Sequence, residues 1–113
     1  MARTASADRC GAGEYLADLE ARFREVGRVL SPTGSLFVAI GLRYQAEVGV
    51  LLKRLGLHWR NTICWHYTFG PGQRRKLTPS WVAIHWFTHD RKRFTFNADA
   101  VRISSTRQRL GDK

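Results

Sequence analysis

A chain of 113 residues, 43% hydrophobic and 25% charged, is long enough for one domain with a core and short for an enzyme that must also enclose a cofactor. Its 19 Lys and Arg against 9 Asp and Glu leave a formal charge of +10, which points to a polyanionic partner such as nucleic acid and is silent about fold. Two distant cysteines without C-x-x-C spacing, no secretory pattern and no apolar run of membrane-spanning length lead to the expectation of a soluble, reduced, cytoplasmic protein.

Met1 to Gly13 is small and polar and reads as a flexible leader, with 14–113 as the domain. From Glu14, the residues Tyr15, Leu16, Leu19, Phe23, Val26 and Leu30 recur at three- and four-residue steps, which predicts an amphipathic helix with one buried stripe. Ser31 to Gly34, S-P-T-G, stops it, because Pro32 biases Ser31 away from helical backbone and Gly34 suits a turn. Ser35 to Ile40 is a nearly unbroken apolar run, as expected of a strand covered on both faces. A second helix is predicted over Tyr44 to Leu55, with Val48, Leu51, Leu52 and Leu55 on one side, and Gly56-Leu57 as its left-handed cap. Trp59–Thr68 and Trp81–His89 are rich in aromatic and β-branched residues, hence strands. A further short extended piece is expected around Phe94 to Phe96. Ser35 to Thr68 thus has the order of a β-α-β crossover, in which the two strands should run parallel. So thin a sheet buries little per residue and is expected to be completed by something outside this sequence.

The charge is uneven. Met1 to Trp59 holds 8 basic and 6 acidic residues, Arg60 to Lys113 holds 11 and 3, so an anion belongs on the second half. Paired carboxylates for acid-base chemistry are absent from the pattern, since the acids lie on the outer face of the first helix or singly. Cys64, His66 and His85 suggest metal ligands by strand alternation, but a buried Cys and a partly buried His on aromatic-rich strands occur more commonly without metal, and no metal is expected. G-P-G-Q-R-R-K lacks the spacing of a nucleotide-binding glycine loop, and no helical pattern follows it. What remains is a long basic loop, Arg74, Arg75 and Lys76, beside Trp65, Tyr67, Phe69 and Trp81, with Arg91, Lys92 and Arg93 after the next strand. Cations for phosphates and flat rings for bases are the usual pairing for nucleic acid.

The segments E-V-G-R-V-L-S-P-T-G-S-L-F-V-A-I-G, L-L-K-R-L-G-L-H-W-R-N-T-I-C-W-H-Y-T-F-G-P-G-Q-R-R-K-L-T-P-S and F-T-F-N-A-D-A-V-R-I-S-S-T-R-Q-R-L-G-D-K, in that order, resemble the middle of the DNA amino-methyltransferases that modify adenine N6 or cytosine N4. The resemblance runs from about Glu14 to Lys113 and implies an α/β fold: a partial Rossmann-like methyltransferase sheet built as helix, strand, helix and an antiparallel strand hairpin. It implies S-adenosylmethionine as methyl donor for the complete enzyme and DNA as substrate, with the target base flipped into a pocket. By position, Trp65, His66, Tyr67 and Phe69 become candidates for the pocket edge. Gln73, Arg74, Arg75 and Lys76, with Arg91, Lys92 and Arg93, become candidate DNA contacts. Two family motifs are missing from this sequence: the amine-gripping D-P-P-Y type and the cofactor-binding F-x-G-x-G. The expectation is therefore a methyltransferase segment that binds no cofactor, is inactive alone, and draws its missing parts from elsewhere, for instance from a second polypeptide. The alternative is a small basic nucleic-acid-binding module without catalysis.

Overall fold

In a computed structural model the protein is described over residues 11–68 and 70–111. The leader up to Cys10, and Phe69, lie outside the described residues. Helix α1 (Ala12–Val29) leads through a turn into strand β1 (Ser35–Ile40), helix α2 (Gln45–Arg54), strand β2 (His58–His66) and strand β3 (Trp81–Thr88). Two single-turn helices, α3 (Ala98–Val101) and α4 (Thr106–Arg109), follow.

The S-P-T-G turn is closed by Gly34 N–H donating to Ser31 O at 2.9 Å, and a Cβ on Gly34 would fall 2.9 Å from Ser31 Oγ and 3.0 Å from Leu30 Cδ1. Glycine is there for room. Gly56 is there for conformation: its φ of +89° suits a residue without Cβ. Gly56 N–H donates to Lys53 O and Leu57 N–H to Leu52 O, the paired bonds of a Schellman cap, which sends Leu57 back into the core beside Leu52.

The sheet is three-stranded in the order β1-β3-β2, and β3 is antiparallel to both neighbours. Strands β1 and β2 therefore run parallel to each other, as the crossover requires, but do not pair: β3 lies between them. A β-bulge between Trp59 and Asn61 shifts the β2 register and places Arg60 as the extra residue. Arg60 uses the freedom to hold the far turn. Its Nε donates to Thr88 Oγ1 at 3.0 Å, its Nη2 reaches Asp90 O and Arg91 O, and its guanidinium lies 4.3 Å from the centre of the Phe94 ring.

One face of the sheet is covered. Ala83, His85 and Phe87 of β3 point into the core with Val48, Leu51, Leu52 and Leu57, while α1 adds half-buried Leu16, Leu19 and Phe23. The stripe of α1 is therefore half-buried rather than buried, because α1 packs on α2 at the margin of the core. The opposite face lacks such cover, contrary to the two-sided burial expected of β1: Phe37 is 56%, Ile63 45% and Trp65 61% exposed. Only the end near Ser35 is screened on that side, where Phe94 and Phe96 sit 6.0 and 5.3 Å from the Trp86 ring and Phe37 stacks on it at 5.8 Å. This also explains why Phe94 to Phe96 is not a strand. Its alternate side chains pack on Trp86, and its one described backbone bond goes to a turn, Thr95 N–H to Thr33 O.

Candidate nucleic-acid interface

The long connection after β2 leaves the sheet where β1 and β2 both end. Register fixes this, since Ile40 and Cys64 both lie opposite Ala83, and His66 opposite Trp81. The carboxyl ends of parallel strands are where open α/β sheets place their ligand sites, because loops there can diverge and leave a crevice. A crevice is present, about 670 Å³ in volume, with walls from the β1–α2 turn (Arg43), the end of β2 (Tyr67), the basic loop (Lys76, Pro79) and the start of β3 (Trp81). Tyr67 N–H donates to Ser80 O at 2.8 Å and its hydroxyl donates to Pro79 O at 3.4 Å, so the loop's return is tied to the ring. Gln73, Arg74, Arg75 and Lys76 are all exposed. Among the described residues only Gly56 and Gly111 have positive φ, so Gly70 and Gly72 do not build a left-handed anion nest.

The sequence candidates do not form one cluster. Strand alternation turns Trp65, opposite Val82, to the open face and His66 to the other, and both are exposed. Tyr67 alone of the described pocket-edge candidates lines the crevice. Phe69 lies outside the described residues. Arg91, Lys92 and Arg93 lie at the opposite end of β3 from the basic loop, about 23 Å away at roughly 3.3 Å per strand residue. Arg43 was missed by sequence reasoning: an isolated cation before a helix carries no signal until the fold brings it to Lys76. Its guanidinium sits 5.3 Å from the Tyr44 ring centre.

His85 belongs to the core. Gln45 O can only accept, so His85 Nε2, 2.7 Å away, carries the proton, and Nδ1 accepts from Thr62 Oγ1 at 2.9 Å. Thr62 Oγ1 in turn accepts from Trp59 Nε1 at 3.0 Å. Both ring nitrogens are committed, which removes His85 from any metal set with Cys64 and His66. No group of three metal-ligating side chains occurs among the described residues.

At the other end, Asp90 Oδ1 accepts from the Lys92 and Arg93 amides at 2.7 and 2.9 Å. The hydrogen bond from the Arg93 amide, then that from Lys92, holds its carboxyl below the usual aspartate value of 3.8. Among the described residues no helix is long and apolar enough to cross a membrane.

Comparison with known proteins agrees with the family resemblance. The chain is 33% identical over 97 residues to the type II methyltransferase M.HpaI of Haemophilus parainfluenzae, in an alignment covering 85% of this chain and 31% of that protein. The chain thus spans under a third of the length of the curated relative it matches. Residues 4–111 match the DNA methylase family model, nearly the whole sequence, and the protein belongs to the DNA methylase family.

Proposed function

We propose that this chain is a segment of a site-specific DNA methyltransferase, one that moves a methyl group from S-adenosylmethionine to an exocyclic amine of adenine or cytosine. In it the Gln73–Lys76 loop grips DNA phosphates beside the crevice at the strand ends. The observation that carries this reading is the crevice itself, which joins two cations, Arg43 and Lys76, to two rings, Tyr67 and Trp81, at the ligand end of the sheet. Cations suit the phosphates and rings suit an unstacked base.

The crevice does not suit the sulfonium and ribose of the methyl donor. S-adenosylmethionine carries a sulfonium cation and a ribose diol, and the crevice offers it two cations and no carboxylate. The D-P-P-Y and F-x-G-x-G motifs are also absent from the sequence. In this reading the donor site and the amine-gripping turn are supplied by other polypeptide, the chain alone is inactive, and the open face of the sheet is where the remainder packs. Wholly non-catalytic DNA binding is the second reading, favoured by the absence of any Asp or Glu from Val48 to His89.

The loop is tested by changing Arg74, Arg75 and Lys76 together to Ala and following duplex binding by fluorescence anisotropy. Affinity should fall about equally for unrelated sequences, and the slope of log K against log salt should flatten by roughly 2–3. An unchanged slope would return the loop to plain solvated surface. The two readings part on the complementing polypeptide: if adding it restores methylation, the catalytic reading holds.

A further inference from the structure

We propose that the end of the sheet away from the crevice is a second, separate phosphate site, and that one DNA duplex lies along the outer edge of β2 held at both ends. The site is a recess of about 440 Å³ where the α2 cap meets the start of β2, with Lys53, His58, Trp59, Arg60 and Arg91 in its walls. Lys92 and Arg93 stand exposed on the adjoining turn.

Converging cations require a reason, since like charges repel and each must be held against the others. Part of the reason is local. Lys53 and Arg54 complement the negative end of the α2 dipole. That does not account for Arg91, Lys92 and Arg93, which arrive from a different segment. Only part of the charge is offset nearby. Asp90, the one carboxylate of this turn, accepts the backbone amides of Lys92 and Arg93 and interacts with the Arg93 and His58 side chains, one negative charge among Lys53, Arg60, Arg91, Lys92 and Arg93, while Arg60 donates to Thr88 Oγ1 and the carbonyls of Asp90 and Arg91. Arg60 and Asp90 thereby build the turn, while Lys53 and Arg91 to Arg93 are left to face solvent. The Lys53 ammonium, 5.5 Å from the centre of the half-exposed Trp59 ring, rests on an apolar shelf rather than on a counter-ion.

The spacing selects the partner. The recess and the basic loop are separated by the length of β3, about 23 Å, close to seven base pairs at roughly 3.4 Å each. Between them runs β2, an edge strand whose stretch of sequence contains no carboxylate to repel a polyanion. A small phosphate compound would satisfy one end only. A duplex satisfies both.

The recess rests on different residues from the reading above, whereas the span rests on that reading for its other end, so the recess and the loop are tested by separate variants. The experiment compares the wild-type chain, the variant Lys53→Gln/Arg91→Gln/Lys92→Gln and the loop variant R74A/R75A/K76A, on a duplex of about 20 base pairs and on one of about 6, too short to span both ends. With the long duplex the recess variant should bind at least about tenfold more weakly, with a salt slope lower by roughly 2–3. With the short duplex its loss should stay within about threefold. The loop variant should keep a salt-dependent residue of binding that disappears when both sets are combined. An unchanged slope for the recess variant on the long duplex, or the same loss on both lengths, overturns the proposal. Unchanged binding in the loop variant alone would overturn the earlier reading and the two-ended span, while the loss in the recess variant would still report the recess as a phosphate site. Arg54→Gln/Arg93→Gln, which leaves Lys53 on Trp59, replaces the first variant if that one does not melt as the wild type does.

Discussion

The two faces of one sheet have opposite fates here. On the α2 side, Phe87 and Ala83 are fully buried and even the polar member, His85, is enclosed and hydrogen-bonded. On the other side, residues of the same strands leave Phe37, Ile63 and Trp65 about half in water, and only Trp86 gathers ring neighbours. A single apolar run such as S-L-F-V-A-I is compatible with either state. It states that a strand can be covered, while the neighbouring elements decide whether it is. Exposed apolar area of this kind marks an interaction surface, in keeping with the proposal that this chain is one part of a larger methyltransferase.

Denaturant unfolding gives the largest expected contrast. Phe87→Ala should cost about 3–5 kcal/mol by removing a fully buried ring, whereas Phe37→Ala on the open face should cost under about 1.5 kcal/mol, the worth of one ring stack plus partial burial. Equal losses would mean that the open face is covered in solution. Next, His85→Leu leaves Gln45 O without its donor and Thr62 Oγ1 without its acceptor, and should cost about 1–3 kcal/mol. Loss of Phe37, Ile63 and Trp65 together to Ser should lower the binding of an apolar-surface dye with little change in melting. No change in dye signal would show that this face is already occupied.

The smallest effect concerns acid. The Asp90 carboxyl is lowered below 3.8 in the folded chain by the amides of Arg93 and Lys92, so its contribution is present above 3.8 and fades as pH falls through the lowered value. Asp90→Asn should therefore narrow its stability gap to the wild type below pH 3.8, and a gap independent of pH would contradict that origin.

Local patterns made much of this fold readable. The period running from Glu14 pointed to the helix that the structure places at Ala12–Val29, starting two residues earlier inside the expected leader, and Gly56-Leu57 gave the cap with both of its hydrogen bonds. Long-range pairing was not readable: nothing in Trp81–Thr88 states that it will enter between β1 and β2, and nothing local announces the bulge at Arg60. One signal was present and overlooked. Ser105 and Gln108, at the spacing of a capping box, close α4 with reciprocal bonds of 3.1 Å. At the proposed interface, charge and rings singled out the loop as a candidate, while the separation of Arg91–Arg93 from Arg74–Lys76 and the entry of Arg43 required the fold, since sequence distance does not show which end of a strand a residue occupies.

The division of labour proposed for this chain is tested most directly by giving the purified protein radiolabelled S-adenosylmethionine and duplex DNA under low salt, with calorimetry of the methyl donor alongside. The expected result is DNA bound, no heat from the donor and no label in the duplex. Label transferred by this chain without any other polypeptide would show that it contains the donor site and the amine-gripping turn after all.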